Sequence, residues 1–171
     1  MTNILDFDKE RVLNLYPIID EEDIKKGKRM DYLPISDEEE EINLFVYGTL
    51  LPGNHMYDSL FSGLDVKQLD GVVNGTLYSV NGAFPGLVEG SNDVEGKMYQ
   101  VTGSQREIFE LLNGLHGYES AIGKNPLYRF EELEVRTNEG EYKAYAYIFN
   151  RSTEGLTEIK SGSWLKPKGV V

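Results

Sequence analysis

Apolar residues recur at helical spacing along one stretch in the second half of the chain. They occupy one face of a predicted helix over residues 104–115: Ile108, Phe109, Leu111, Leu112 and Leu115. Ser104 and Glu107 form the S-x-x-E pattern of a capping box, which indicates that the helix begins at Ser104. Gly114 and Gly117 are expected to fray or end it. His116 therefore falls at the helix C-terminus, where the macrodipole favours a protonated imidazole.

Residues 42–47 form a run of β-formers that stops abruptly at Gly48. A Pro52-Gly53 turn then leads to a short helix that Asn54 can cap. We expect a strand, a tight loop and a helix start, in which the backbone N–H groups of residues 48–51 lack strand partners. Such a loop suits an oxyanion, a carboxylate or a phosphate, although an ordinary turn after a buried strand has the same pattern.

Shorter strand patterns fill the rest of the chain. Strands are predicted at 72–80, 96–101, 127–136 and 142–149. Asn74-Gly75 is interpreted as a bulge in the first of them, and Asn138-Glu139-Gly140 as the hairpin turn between the last two. Residues 81–90 are rich in glycine and proline, which predicts an irregular loop and a candidate pocket wall. Several strands with two helices favour an α+β fold, with helices against a curved, mostly antiparallel sheet or small barrel.

Composition narrows the possible functions. The 171 residues are 40% hydrophobic, which is enough for one domain with a real core, and they include no cysteine, which excludes disulfides and thiolate chemistry. A net charge of −12 argues against a nucleic-acid polymer as partner, because that binding depends on Lys and Arg clusters. No apolar run approaches the ~20 residues of a membrane span, and no signal-peptide pattern begins the chain. We therefore predict a cytoplasmic protein with a small-molecule ligand.

Residues 1–41 differ from the rest and are interpreted as an acidic extension before a domain at 42–171. They hold 13 of the 29 acidic residues but only 6 of the 17 basic ones. The extension ends in an acidic run that is typical of a solvated linker. Apolar residues at its start predict that part of it packs, with a helix at about 7–16 that Pro17 would stop.

Standard catalytic signatures are missing. The chain has no G-x-S-x-G, no phosphate-binding G-x-x-x-x-G-K-[ST] and no H-E-x-x-H. Two histidines, His55 and His116, are too few for a histidine-rich metal site, so we predict no metal site. General acid–base chemistry remains open.

An ordered series of segments resembles the γ-glutamylcyclotransferase-like family over nearly all of residues 42–171. The segments are FVYGTLLPG at 45–53, GTLYSVNGAFPGLVEG at 75–90, EGKMYQV at 95–101, LLNGLHGYE at 111–119, LYR at 127–129, AYAYIFN at 144–150 and SGSW at 161–164. The resemblance implies a small mixed barrel with flanking helices. It also implies release of 5-oxoproline from a γ-glutamyl amine or peptide, in which the substrate's α-amine attacks its own γ-carbonyl. This reaction needs no cofactor, so none is expected.

The resemblance further implies the site residues. The family's substrate-binding Y-G-x-L element corresponds to Tyr47, Gly48, Thr49 and Leu50. Its catalytic glutamate lies in a segment resembling L-D-x-x-E-G-Y, and here His116 stands at the glutamate position and Asn113 at the aspartate position. The base is then His116 or, as the alternative, Glu119 three residues further on. Candidate pocket walls are Phe84, Pro85, Tyr118, Tyr128 and Tyr147, although a tyrosine in a core commonly packs with its hydroxyl bonded to backbone.

Three functions remain open from the sequence. The first is a cyclotransferase with an altered base, and the second is an enzyme acting differently on a related amide. The third is a non-catalytic protein that sequesters a small anionic metabolite or nucleotide in the same pocket. The oligomeric state is left open.

Overall fold

The computed structural model describes residues 37–48, 50–51 and 55–164, without the side chains of His55 and Met56. The strands are β1 (Glu39–Val46), β2 (Asp65–Val80), β3 (Phe84–Ser104), β4 (Tyr128–Thr137), β5 (Gly140–Phe149) and β6 (Thr157–Glu158). The helices are α1 (His55–Phe61) and α2 (Gln105–Tyr118). The predicted helix at 7–16, the Pro52-Gly53 turn and the Asn54 cap lie outside the described residues.

The six strands form one mixed sheet in the order β3-β1-β5-β4-β2-β6. β1 runs parallel to β5 and antiparallel to β3, and the other neighbours pair antiparallel. β2 also pairs with β3, so the sheet curls back on itself into a barrel-like shape. The predicted α+β fold with a mixed, mostly antiparallel sheet is confirmed.

The β2–β3 hairpin corrects the irregular loop predicted at 81–90. Asn81 and Gly82 both have positive φ, at 55° and 75°, and the N–H of Ala83 donates to the carbonyl of Val80 at 3.0 Å. Because Val80 pairs with Phe84, these residues form a tight three-residue turn that joins the paired strands directly. β3 therefore begins at Phe84 and continues through the glycines. The bulge predicted at Asn74-Gly75 is confirmed by a register shift between Gly75 and Thr76.

Alternation along the strands divides the core into two layers. On one face of the sheet, Leu44, Tyr99 and Tyr147 pack with the apolar side of α2. On the other face, Phe45 and Met98 belong to a second cluster that fills the inside of the curled sheet. Because neighbouring strand residues point to opposite faces, both layers are filled by the same strands.

Helix α2 begins as predicted and ends later than predicted. The Ser104 hydroxyl accepts from the N–H of Glu107, and the Glu107 carboxylate accepts from the N–H of Ser104, which completes the capping box. The helix continues through Gly114 and Gly117 to Tyr118. Its last turn therefore brings His116 against Phe130 of β4 and Tyr147 of β5. Neither described helix has the length and apolarity to cross a membrane.

Candidate functional site

A cavity of about 330 Å³ lies where β1, the β2–β3 turn, the end of α2 and the start of β4 meet. Its lining residues are Phe45, Val46, Tyr47, Gly48, Leu50, Ala83, Phe84, Pro85, Tyr118, Glu119, Ser120, Leu127, Tyr128 and Tyr147. Glu119 is the only Asp, Glu, Lys or Arg among these lining residues. The cavity therefore combines aromatic walls with a single ionisable carboxyl group.

The loop after β1 forms one side of the cavity. Leu51 donates its N–H to the Gly48 carbonyl at 3.0 Å, and the Tyr99 hydroxyl donates to the Leu50 carbonyl at 2.7 Å. These two bonds fix a tight turn. The N–H of Leu51 was predicted to be available to an anionic ligand, and this was wrong because it is bonded to Gly48. The N–H groups of Gly48 and Leu50 have no acceptor among the described residues. Thr49 lies outside the described residues.

Three wall tyrosines are held through their hydroxyls. Tyr47 donates to the carbonyl of Tyr147, and Tyr128 donates to the carbonyl of Pro85 at 2.7 Å. Burial raises the pKa of Tyr47 and Tyr128, so both keep their protons. The Tyr147 hydroxyl lies 2.9 Å from Nδ1 of His116. Tyr118 differs from them because it is 40% exposed.

Glu119 reaches the cavity because of the way α2 ends. It is the C-cap residue, and the following bonds from Ser120 N–H to Gly117 and from Ala121 N–H to His116 form a Schellman motif. Ser120 takes the left-handed position of that motif, with φ of 52°, where glycine is usual. Its carbonyl accepts from the N–H of Leu127 at 2.8 Å, which ties the turn to the start of β4.

The Glu119 carboxyl group has a pKa close to neutral pH. Burial raises its pKa from 4.5 to about 7. A carboxyl with this pKa is both a usable base and a usable acid at physiological pH. Glu119 therefore has the properties of a proton-transfer group.

His116 lies behind the pocket wall and does not line the cavity. Its side chain is 2% exposed, and its ring contacts Phe130 edge-on with centroids 4.5 Å apart. Burial lowers its pKa to about 3, although a hydrogen bond at the Leu112 backbone acts in the opposite direction. Desolvation therefore outweighs the helix macrodipole that was expected to favour the protonated form.

The predicted wall residues converge on one cavity. Tyr47, Gly48, Leu50, Phe84, Pro85, Tyr118, Tyr128 and Tyr147 all line it, together with Glu119. That they contact a substrate stays a prediction. The sequence reasoning missed Ser120 and Leu127, among others. Ser120 could have been found from its position directly after Glu119. The prediction that α2 ends at residue 115 hid this, because the helix continues to Tyr118.

No cluster of three or more His, Asp or Glu side chains in the described ranges could hold a metal ion. The cavity itself brings together the Glu119 carboxyl group, the loop after β1 and the aromatic walls.

Comparison with known proteins gives one consistent result. A sequence model of the family described as "Gamma-glutamyl cyclotransferase, AIG2-like" matches residues 44–166. The gamma-glutamylcyclotransferase family protein ytfP of Citrobacter rodentium is 29% identical over 126 residues, which are 72% of this chain and 96% of that protein. Residues 44–166 include every residue that lines the cavity.

Solved structures agree with this match. The solution structure of YtfP from Escherichia coli has 25% identity and a TM-score of 0.51, and the match covers 74% of this chain and 99% of that one. YkqA from Bacillus subtilis has 22% identity and a TM-score of 0.52 over 72% of this chain, a likeness of fold alone. The match spans only 39% of the YkqA chain, which is longer.

Proposed function

Since this chain belongs to the gamma-glutamyl cyclotransferase, AIG2-like family, we propose that it cleaves a γ-glutamyl amine or γ-glutamyl peptide and releases 5-oxoproline. One observation carries the proposal: a carboxyl group of pKa about 7, on Glu119, shares a cavity with the loop of Gly48 and Leu50. The placement of this carboxyl group beside the loop supports the proposal, because the reaction needs both hydrogen-bond donors and a proton-transfer group.

The loop supplies the binding half of the reaction. The N–H groups of Gly48 and Leu50 hold the substrate's α-carboxylate or the oxyanion that forms on the γ-carbonyl oxygen. The turn is fixed by the Tyr99 hydroxyl, so these donors do not have to reorganise during the reaction. The aromatic walls favour a folded γ-glutamyl group, in which the α-amine approaches the γ-carbonyl carbon.

Glu119 supplies the proton-transfer half. As a carboxylate it takes a proton from the substrate's α-ammonium group, and the freed amine attacks the γ-carbonyl carbon. A C–N bond forms in the new five-membered ring, and the original amide C–N bond breaks. The protonated Glu119 gives this proton to the leaving nitrogen as the amide C–N bond breaks. The regenerated carboxylate takes a second proton from the ring nitrogen, which becomes the lactam N–H, and passes it to the released amine, so two protons move from the attacking nitrogen to the leaving nitrogen and none is lost.

Between the two candidate bases, we propose Glu119 and not His116. A histidine of pKa about 3 is a weak base, and it contacts Phe130 and Tyr147 behind the wall. Glu119 has the higher pKa, and it lines the cavity. In this proposal the chain performs the family's reaction with a glutamate three residues beyond the usual position.

The test is release of 5-oxoproline from a panel of γ-glutamyl amines and γ-glutamyl dipeptides. Turnover by the wild type is expected, with a loss of at least about 100-fold in Glu119→Gln, the scale of losing a general acid–base group. Glu110→Gln is the matched control, because it removes an exposed carboxyl from α2, the helix that Glu119 caps. Full activity of Glu119→Gln would refute its role as the base. A wild type that binds 5-oxoproline without any turnover would indicate the sequestering function instead.

A further inference from the structure

Arg151 lies just after the end of β5 and binds the segment that leads from α2 to β4, residues 120–127. We propose that Arg151 is a positioning residue for Glu119: its guanidinium group holds residues 125–126 and thereby fixes the side of the cavity next to the Glu119 carboxyl group. This inference rests on the proposed function, because it concerns the same proton-transfer group. It assigns a role to an exposed side chain that does not line the cavity.

The guanidinium group of Arg151 binds three main-chain carbonyl groups. Its Nη1 donates to the carbonyl of Pro126 at 2.7 Å and to the carbonyl of Asn150 at 3.0 Å, and its Nη2 donates to the carbonyl of Asn125 at 2.9 Å. A planar guanidinium group presents its donors in a fixed fork, so three acceptors define its orientation. The bond to Asn150 ties the guanidinium group to the end of β5, and the other two bonds tie the segment to the guanidinium group.

Residues 122–126 depend on the end of β5 for their hydrogen bonds. Within the part of the chain that the structure describes, every hydrogen bond to these five residues comes from Asn150 or Arg151. The side-chain amide of Asn150 donates to the Pro126 carbonyl at 2.9 Å, beside the bond from Arg151. Ile122 packs against the core layer that contains the apolar side of α2, whereas residues 123–125 are exposed. The far end of the segment is therefore held mainly by these two side chains.

Two backbone hydrogen bonds connect this end of the segment to Glu119. The N–H of Asn150 donates to the Leu127 carbonyl at 2.8 Å, and the N–H of Leu127 donates to the Ser120 carbonyl at 2.8 Å. Ser120 directly follows Glu119, and both Ser120 and Leu127 line the cavity. A displacement of residues 125–126 would therefore move the cavity wall beside the carboxyl group.

The position of this wall decides how well the Glu119 carboxyl group is shielded from water. The titratable groups that line the cavity with it are all tyrosines: Tyr47 of β1, Tyr118 of α2, Tyr128 of β4 and Tyr147 of β5. The pKa of Glu119 is raised by burial, so it depends on the exclusion of water. If residues 120–127 move outward, water reaches the carboxyl group, its pKa falls from about 7 towards 4.5, and it becomes a weaker base.

The first experiment needs no substrate. Amide hydrogen exchange at Leu127 is compared between the wild type and Arg151→Gln, with the amides in the middle of α2 as the reference. Exchange at Leu127 is expected to be about 5- to 10-fold faster in the variant, the scale of one or two lost hydrogen bonds. Unchanged exchange at Leu127 would show that Arg151 does not hold the segment.

The second experiment follows the Glu119 carboxyl group, again without substrate. In ¹³C-glutamate-labelled protein, its resonance is the one that disappears in Glu119→Gln. The titration midpoint is expected at about 7 in the wild type and about 1 pH unit lower in Arg151→Gln, because water gains access. An equal midpoint in the two proteins would overturn the proposal. Arg106→Gln is the matched control, because it removes an exposed arginine that pairs with Asp37 at the start of α2, and it should leave the midpoint unchanged.

Kinetics test whether holding the segment serves the reaction. For 5-oxoproline release, Arg151→Gln is expected to lower kcat about 10-fold with little change in KM, since the proton-transfer group is displaced while the loop after β1 is not. Arg151→Lys keeps the positive charge without the planar fork, so its kcat is expected to lie closer to that of Arg151→Gln than to that of the wild type. Wild-type kcat in Arg151→Lys, together with a loss in Arg151→Gln, would overturn the role of the guanidinium fork.

Failure of this inference and failure of the proposed function give different results. If the wild type releases no 5-oxoproline, the proposed function is refuted, while faster exchange at Leu127 and a lower Glu119 midpoint in Arg151→Gln still establish the positioning role. If the wild type is active and Arg151→Gln keeps both its kcat and its Glu119 midpoint, the proposed function stands and the inference is refuted. Should Arg151→Gln fold poorly, Asn150→Ala removes the other side-chain donor to the segment. The same changes in exchange and midpoint are expected there, and their absence would refute the inference.

Discussion

Gly48 and Pro85 lie in direct contact across one wall of the cavity. A β-carbon built on Gly48 would stand 2.5 Å from Cγ and 2.9 Å from Cδ of Pro85, closer than real β-carbons approach other atoms. The carbonyl of Pro85 is in turn held by the hydroxyl of Tyr128. The proline ring therefore cannot retreat easily, and the glycine sets how close the loop lies to the β2–β3 hairpin.

Gly48→Ala is therefore expected to displace the loop and damage the site. The added methyl group should lower the free energy of unfolding by about 1–3 kcal/mol, the usual cost of overpacking. It should also lower kcat/KM for 5-oxoproline release, because the N–H donors of the loop move. Urea unfolding and steady-state kinetics measure the two effects.

Gly117→Ala is the matched control for that substitution. Gly117 lies in α2, is exposed, and has no atom within 4 Å of a built β-carbon. Alanine there should raise the free energy of unfolding by about 0.5–1 kcal/mol, since glycine is a poor helix former. If Gly48→Ala were as stable and active as the wild type, the contact with Pro85 would not control the loop.

The sequence correctly predicted features that depend on residues close together in the chain. The capping box of Ser104 and Glu107 and the bulge at Gly75 depend on residues close in sequence, and both are present. The irregular loop predicted at 81–90 was wrong, because glycine is needed there for contacts with residues distant in sequence. A β-carbon on Gly86 would lie 2.8 Å from Cγ of Phe149, so this glycine allows close packing within a strand. That contact joins residues 63 positions apart and leaves no local pattern.

The choice between His116 and Glu119 was open for a similar reason. The two side chains follow each other within one turn, and the sequence does not reveal how the chain leaves α2. The Schellman motif at Ser120 directs Glu119 to the cavity, while His116 stays against Phe130. A serine at position 120 does not predict a Schellman motif, whereas a glycine there would have predicted one.

The pH dependence of kcat/KM follows from the Glu119 pKa. The carboxylate form is the base, and burial raises the pKa of this group to about 7. Activity should therefore rise as pH increases toward about 7 and level off above it, since kcat/KM reports the ionisation of the free enzyme. Initial rates across this range, with Glu110→Gln as control, measure the midpoint. A midpoint near 4.5, the usual value for glutamate, would contradict a buried base.

The free energy of unfolding should depend on pH, and the contributions of Glu119 and His116 should have opposite signs. The folded pKa of Glu119 is raised, so its contribution is present below 4.5 and is lost as pH rises through about 7. The folded pKa of His116 is lowered to about 3, so its contribution is present above 6.5 and is lost as pH falls.

Two variants separate these contributions. Relative to the wild type, Glu119→Gln should gain free energy of unfolding as pH rises from 4.5 to about 7, because glutamine cannot ionise. His116→Gln should gain relative to the wild type as pH falls below 6.5. Urea unfolding at a series of pH values measures both differences. Parallel curves for a variant and the wild type would mean that the substituted group is not buried as described.

Ser120 carries a backbone strain that glycine would relieve. Its φ of 52° lies in the left-handed region, which costs an ordinary residue about 1–2 kcal/mol more than glycine. Ser120→Gly should therefore raise the free energy of unfolding by up to about 1 kcal/mol, with some of the gain cancelled by the greater freedom of glycine in the unfolded chain. Ser120→Ala keeps the strain and serves as control, so it should show no such gain. Because the Schellman bonds that orient Glu119 are backbone bonds, Ser120→Gly should keep the pH profile of kcat/KM, and a shifted midpoint would show that the serine side chain itself tunes the Glu119 carboxyl.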